Sequence, residues 1–325
     1  MTEVNQTLTE TESLAGLRLL VAVAQADETL DPAEKDALEA AIAALPMPPG
    51  ASLDASALNF LFQEQQDVPT LLAQLESQEA RESVYQSMYA MAWADGDCSP
   101  VEQSLLDHAR QELGIPEESQ GVLDRFLREA RDTVLPSNLT AIADPAQRAE
   151  EIRKDTLKYS IMAAVLGAFP VPGLAILTDL GVVGLQIKLV RDVGQYYGRT
   201  VDKSAAMSLL GALGVGTGAR IAVNNLAKLL PGWGSVVGAS TSFASTWALG
   251  LIAVKWFEGG AQGDPAALKA EFAAAEQAGK AAYEVNKGTV EHTRRLNEPA
   301  LRKLAQDAKD GKITQDEYQQ KIAAL

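Results

Sequence analysis

Residues 232–254, GWGSVVGASTSFASTWALGLIAV, run for twenty-three positions without a charge in a chain whose formal net charge is −15. Gly234, Gly238, Ser242, Thr246 and Gly250 fall at every fourth position. That period is helical, because residues four apart stack on one face. A face of glycine and hydroxyl residues lets a second helix approach backbone to backbone, so these five are expected to be helix-packing positions. The length also suits a bilayer, which takes about 20 residues of helix to cross. Apolarity is the weaker sign: thirteen residues are hydrophobic, four are glycine and six are serine or threonine. Such a segment is either a membrane helix or the buried helix of a tight bundle.

At 325 residues the chain is long enough for two or three domains, each with its own core. Its single cysteine, Cys98, rules out an internal disulfide and fits a reducing compartment. The opening MTEVNQTLTETES is polar and acidic and has no secretory character, so the chain is expected in the cytoplasm or facing it. Charge divides the sequence more sharply than composition does. Residues 1–152 hold 28 acidic and 8 basic side chains, and residues 153–258 hold 5 and 10. Residues 259–325 hold 10 of each. The acidic head is repelled by nucleic acid and anionic lipid, whereas the mildly basic middle suits a lipid surface. No basic stripe with interleaved aromatics occurs, which argues against nucleic-acid binding.

The head repeats itself. AVAQADETLDPAEKDALEAAIAAL at 22–45 and YAMAWADGDCSPVEQSLLDHARQEL at 89–113 align with an offset of 68 residues. Each reads as a helix end, a short turn and a new helix. Asp31 and Ser99 are natural N-caps, Pro32 and Pro100 suit the first helical position, and Glu34 and Glu102 complete capping boxes. Leu38, Ile42 and Leu45 give the first of these helices an apolar face, as Leu105, Leu106, Ala109 and Leu113 do the second. Asp27 and Asp95 precede the turns and are not needed as caps. Either each accepts hydrogen bonds from turn amides, or the two turns face each other. In that case Asp27, Glu34, Asp95, Asp97 and Glu102 gather oxygen ligands for Ca²⁺ or Mg²⁺. The dense ligand spacing of an EF-hand is absent.

The pattern A-D-G-D-x-S-P-x-E-x-x-x-L, followed by A-x-x-x-L-G-I at 109–115, resembles the TerB domain of the tellurite-resistance system, over about residues 10–135. Glu28 stands in the first copy where Gly96 stands in the second. The resemblance implies a cytosolic all-helical domain with acidic turns suspected of binding metal, and no established catalysis.

A linker is expected at 136–152, overlapping the start of a helix expected from Pro145 to Ala168; another is expected from Leu174 to Tyr197, and Phe169-Pro170-Val171-Pro172-Gly173 breaks the two apart. The prolines cut the uncharged run from Ser160 to Thr178 in half, and neither half is long enough to span a bilayer. The glycines at 211, 214, 216 and 218 are not a phosphate loop, because no strand precedes them and no lysine follows at the required position. They read as packing glycines or a helix break. Lys255 with Trp233, Trp247 and Trp256 suits a membrane interface. Four clusters in order resemble the YcjF-type family of unknown function: Phe169 to Gly173, Tyr197-Gly198, Leu230 to Gly234, and Thr246 to Gly250. That likeness implies an apolar helical module at the inner membrane with a GTPase partner. This chain carries no GTP-binding motif of its own.

The tail opens with a long Ala- and Glu-rich helix over 261–297. In 298–325, Gly311 is expected to end one helix, with Thr314 and Glu317 boxing the start of the next. This hairpin resembles the SHOCT motif, which implies association, here a homo-oligomer. His108 and His292 are the only histidines and read as surface residues, and no zinc set, nucleophile elbow or Cys/His pair exists. The expectation is an all-α, non-enzymatic scaffold in domains at 1–135, 153–260 and 261–325, the middle one meeting the membrane. Its rival is a fully soluble helical adaptor that buries 232–254 against the hairpin at 160–190 and oligomerises through that block.

Overall fold

The computed structural model describes residues 8–26, 38, 62, 64–93, 98–169, 175–215, 218–227, 234–260 and 264–325. Among them are twelve helices and no strand, so the all-α expectation holds. The chain divides into two compact units, each discontinuous in sequence. The first comprises Met1–Leu127, Pro170–Ile176 and Thr217–Val237, and the second Arg128–Phe169, Leu177–Gly216 and Gly238–Leu325.

Helices α1 (Glu10–Ala24), α2 (Val68–Ala73), α3 (Gln78–Ala92) and α4 (Pro100–Glu112) begin the first unit, followed by the start of α5 (Glu117–Asp132). Their ends are written in short-range chemistry. Thr9 and Glu12 box the start of α1, and Ser99 and Glu102 box that of α4, with Pro100 at the first helical position. Gly114 ends α4 at φ 66°, where the Ile115 amide reaches back to the Arg110 carbonyl at 2.9 Å. Only glycine adopts that backbone cheaply. The first copy's cap, Asp31-Pro32 with Glu34, lies outside the described residues; Leu38, from its expected apolar face, is fully buried.

The core of this unit is α3, whose Val84, Tyr85, Met88 and Tyr89 are all buried. α1 packs on it, and so does α9 (Gly218–Ala227), a helix more than a hundred residues downstream. Gly16 of α1 permits that closeness. A Cβ there would stand 3.1 Å from Leu226 and 3.2 Å from Val84.

The second unit contains α6 (Pro145–Gly167), α7 (Ala175–Tyr196, from Leu177), α8 (Lys203–Ala212), α10 (Gly234–Glu258, from Gly238), α11 (Pro265–Lys309) and α12 (Gln315–Ala324). α6 starts at an Asp144 cap followed by Pro145. α11 continues through Pro299 to Lys309. Gly311, at φ 69°, follows its end, and Thr314 and Glu317 form the capping box of α12. α11 packs along α6 and also meets α8 and α12. Aromatic contacts bind it to α10, with Tyr283 edge-on to Phe243 at 5.7 Å between ring centres. Residues 133–143 form no helix or strand and are pinned to α7: Lys188 donates to the Pro136 carbonyl at 3.0 Å, and the Ile142 amide donates to the Tyr196 carbonyl at 3.0 Å.

Candidate functional site

Of the five acidic residues expected to hold a cation, Asp27, Glu34, Asp95 and Asp97 lie outside the described residues. Glu102 is described, and its carboxylate accepts the Ser99 amide at 2.8 Å as part of the α4 cap. Among the described residues no group of three or more His, Cys, Asp or Glu side chains gathers as a metal centre. The head nevertheless uses carboxylates structurally. Glu12 is 3 % exposed and accepts from the amides of Thr9, Glu76 and Ser77 at 2.9, 3.2 and 3.0 Å. Burial pushes its carboxyl up. The backbone N–H groups of Thr9 and Ser77, with both their hydroxyls, outweigh burial and hold it below the ordinary range. Glu12 thus fastens the start of α1 to the start of α3. Tyr89 donates to Asp124. His108 and His292 are both exposed.

The five helix-packing positions are all in α10. Gly234 is its first residue. A Cβ on Gly238 would fall 2.0 Å from the Gly167 carbonyl oxygen of α6, and one on Gly167 would fall 2.4 Å from the Ser242 hydroxyl. Further along, a Cβ on Gly250 would collide with Thr156 at 2.4 Å. Thr246 turns to α7, where Gln186 donates to its hydroxyl at 3.1 Å and to Ser245 at 3.3 Å. From Gly238 to Gly250 the row is therefore covered by α6 and α7, antiparallel to α6. Much of the rest of α10 is covered too: Phe243, Leu249, Ile252 and Phe257 are buried, Trp247 and Trp256 are half-buried, and Leu251 is 42 % exposed. No helix among the described residues is long and apolar enough to cross a membrane.

Two features of this unit were not anticipated. The first is a buried ionic knot. Asp192 of α7, 1 % exposed, accepts from Ser137 and Tyr159 at 2.6 Å each and from Lys188 at 2.9 Å. One turn along, Tyr196 donates to Asp155 at 2.8 Å, and burial raises the Asp155 carboxyl above its ordinary value despite that bond. Perturbed groups in clefts are candidates for catalysis. Here Asp192 is wholly enclosed and satisfied, an arrangement suited to locking α6, α7 and the 133–143 strap together. The Lys188–Asp192 spacing of four was a visible signal; the partners Tyr159 and Ser137 were not.

The second is an open groove of about 390 Å³ on the outer face of α6. Arg153, Lys154 and Lys158 rim it, and Leu157, Ile161 and Met162 form its floor. Thr293 of α11 and Leu325, beyond the end of α12, close the sides. The three cations are exposed. Arg153 and Lys154 reach back one turn to Glu150 and Glu151 at 2.9 and 2.8 Å. The spacing of 153, 154, 157, 158, 161 and 162 is that of a single helical face, so the signal was present in the sequence.

Residues 13–122 match the family model described as tellurite resistance protein TerB. The TerB likeness of the head is thereby shown, over about a third of the chain; the YcjF-type and SHOCT-type likenesses are not. No curated protein and no solved structure gives a significant match.

Proposed function

We propose that this chain is a non-enzymatic helical adaptor. Its TerB-type head recruits a partner through an acidic surface, and its second unit holds the molecule at an anionic lipid surface by peripheral contact. The observation that carries this reading is where the small residues of α10 go. Gly238, Ser242, Thr246 and Gly250 are occupied by α6 and α7, so the apolar block serves as the core of its own unit, while α6 turns exposed cations outward. Lysine and arginine side chains against an anionic bilayer attract it by roughly 1 kcal/mol each. The TerB match supports the head's assignment to a tellurite-resistance-related module. A GTPase is the partner class favoured by the YcjF-type resemblance, and any nucleotide chemistry then belongs to that partner.

Fractionation of bacterial cells expressing the full chain tests the proposal. The expected result is a membrane fraction that releases the chain in high salt. Retention through both high salt and carbonate would mean insertion and overturn it. Recovery entirely in the soluble fraction would overturn the lipid contact and leave the fully soluble adaptor, assembling through the apolar block.

A further inference from the structure

We infer that the α6 groove is a binding site for a single-chain anionic amphiphile, a long-chain carboxylate held as a monomer. The inference deepens the peripheral-contact reading by naming the molecule that α6 meets.

The groove has two chemically distinct parts on one helical face. Its floor is apolar, and Met162 in it is a side chain that adapts to an irregular chain. Its rim is three cations, and no Asp or Glu side chain is among the lining residues. The one acid of α6 between Arg153 and Met162 is Asp155, and its carboxylate is turned to the Tyr196 hydroxyl on α7. Glu150 and Glu151 do pair with Arg153 and Lys154, but those pairs are exposed, and exposed ion pairs contribute little. An incoming carboxylate competes with Glu150 for the arginine fork, which Glu150 meets through Nε and Nη2 at 3.1 and 2.9 Å, and it gains Lys158 as a further donor.

A volume near 390 Å³ falls within the range of small-molecule sites. A free phosphate would engage the rim and leave the floor wet. A nucleotide would find no aromatic side chain among the lining residues on which to stack its base. A neutral lipid would cover the floor and leave the cations unused. An acyl chain ending in a carboxylate uses both parts.

Calorimetric titration of the full chain with sodium dodecanoate, kept below its micelle concentration, is the test. Dodecyltrimethylammonium serves as the control of opposite charge. One saturable site for dodecanoate is expected, and none for the cation. The double substitution Arg153→Glu with Lys158→Glu should weaken binding at least tenfold, and so should Ile161→Trp, which fills the floor. Both charged positions are exposed, so a native circular-dichroism spectrum is expected for the double variant. Absence of saturable dodecanoate binding, equal binding of the cation, or unchanged affinity in the double variant would overturn the inference. Flotation with phosphatidylglycerol vesicles separates it from the broader reading. A chain that floats but binds no dodecanoate keeps the peripheral contact and loses the groove. A chain that binds dodecanoate but does not float keeps the groove and loses the contact.

Discussion

Glu12 illustrates how far a single residue can be read ahead of the fold. A threonine followed three residues later by glutamate before an apolar run signals a helix start, and Thr9–Glu12 is one. The same holds for Ser99–Glu102 and Thr314–Glu317, because capping is decided within four residues of chain. What the local pattern does not contain is the second set of donors on Glu12, the amides of Glu76 and Ser77. Those make the residue a clasp between two helix starts. Since the fold holds this carboxyl below its ordinary value of 4.5, the folded head binds fewer protons than the unfolded chain in the acid range. Its stabilisation is complete above that ordinary value and is lost as pH falls through the lower, folded one. Glu12→Gln should cost the first unit about 1.5–3 kcal/mol at neutral pH, the scale of hydrogen bonds to a charged acceptor. The loss should shrink toward low pH. Denaturant melts of wild type and variant across that range check both statements.

At the scale of an element, α10 was legible in outline. Its period of four marked a packing face, and a period is visible without knowing the partner. Which helices fill the face depends on contacts between residues about 70 to 95 positions apart, Gly167 with Gly238 and Thr156 with Gly250, and no local rule specifies those. The contact is backbone on backbone, so it tolerates no methyl. Gly238→Ala is expected to destabilise the second unit by about 1–3 kcal/mol, as overpacking does. Gly288 is the counterpart: it lies inside α11, exposed, with nothing within 4 Å of the point where a methyl group would stand. Gly288→Ala should stabilise by about 0.5–1 kcal/mol through helix propensity alone. Thermal melts of the two variants beside wild type give opposite signs if the packing is as described. The groove on α6 was half legible. Its cations and apolar residues share one face in sequence, but a face becomes a groove only when Thr293 and Leu325 are brought beside it.

For the molecule as a whole, no local pattern reveals that Thr217–Val237, which carries α9, belongs to the same compact unit as the head. Leu226 seats over Gly16 because two apolar faces, about two hundred residues apart, are complementary in shape. Such pairings emerge from the whole set of exposed faces seeking cover. The acidic turns that prompted an ion site remain, apart from Glu102, outside the described residues, and Glu102 serves as a cap. The proposed peripheral contact turns on whether α10 keeps its apolar surface inside the second unit when lipid is offered. Hydrogen–deuterium exchange of the full chain, with and without phosphatidylglycerol vesicles, measures this directly. Peripheral contact predicts slow exchange for 239–254 in water alone, unchanged by vesicles, with new protection confined to 153–162. Fast exchange of 239–254 in water that becomes slow on adding vesicles would contradict it.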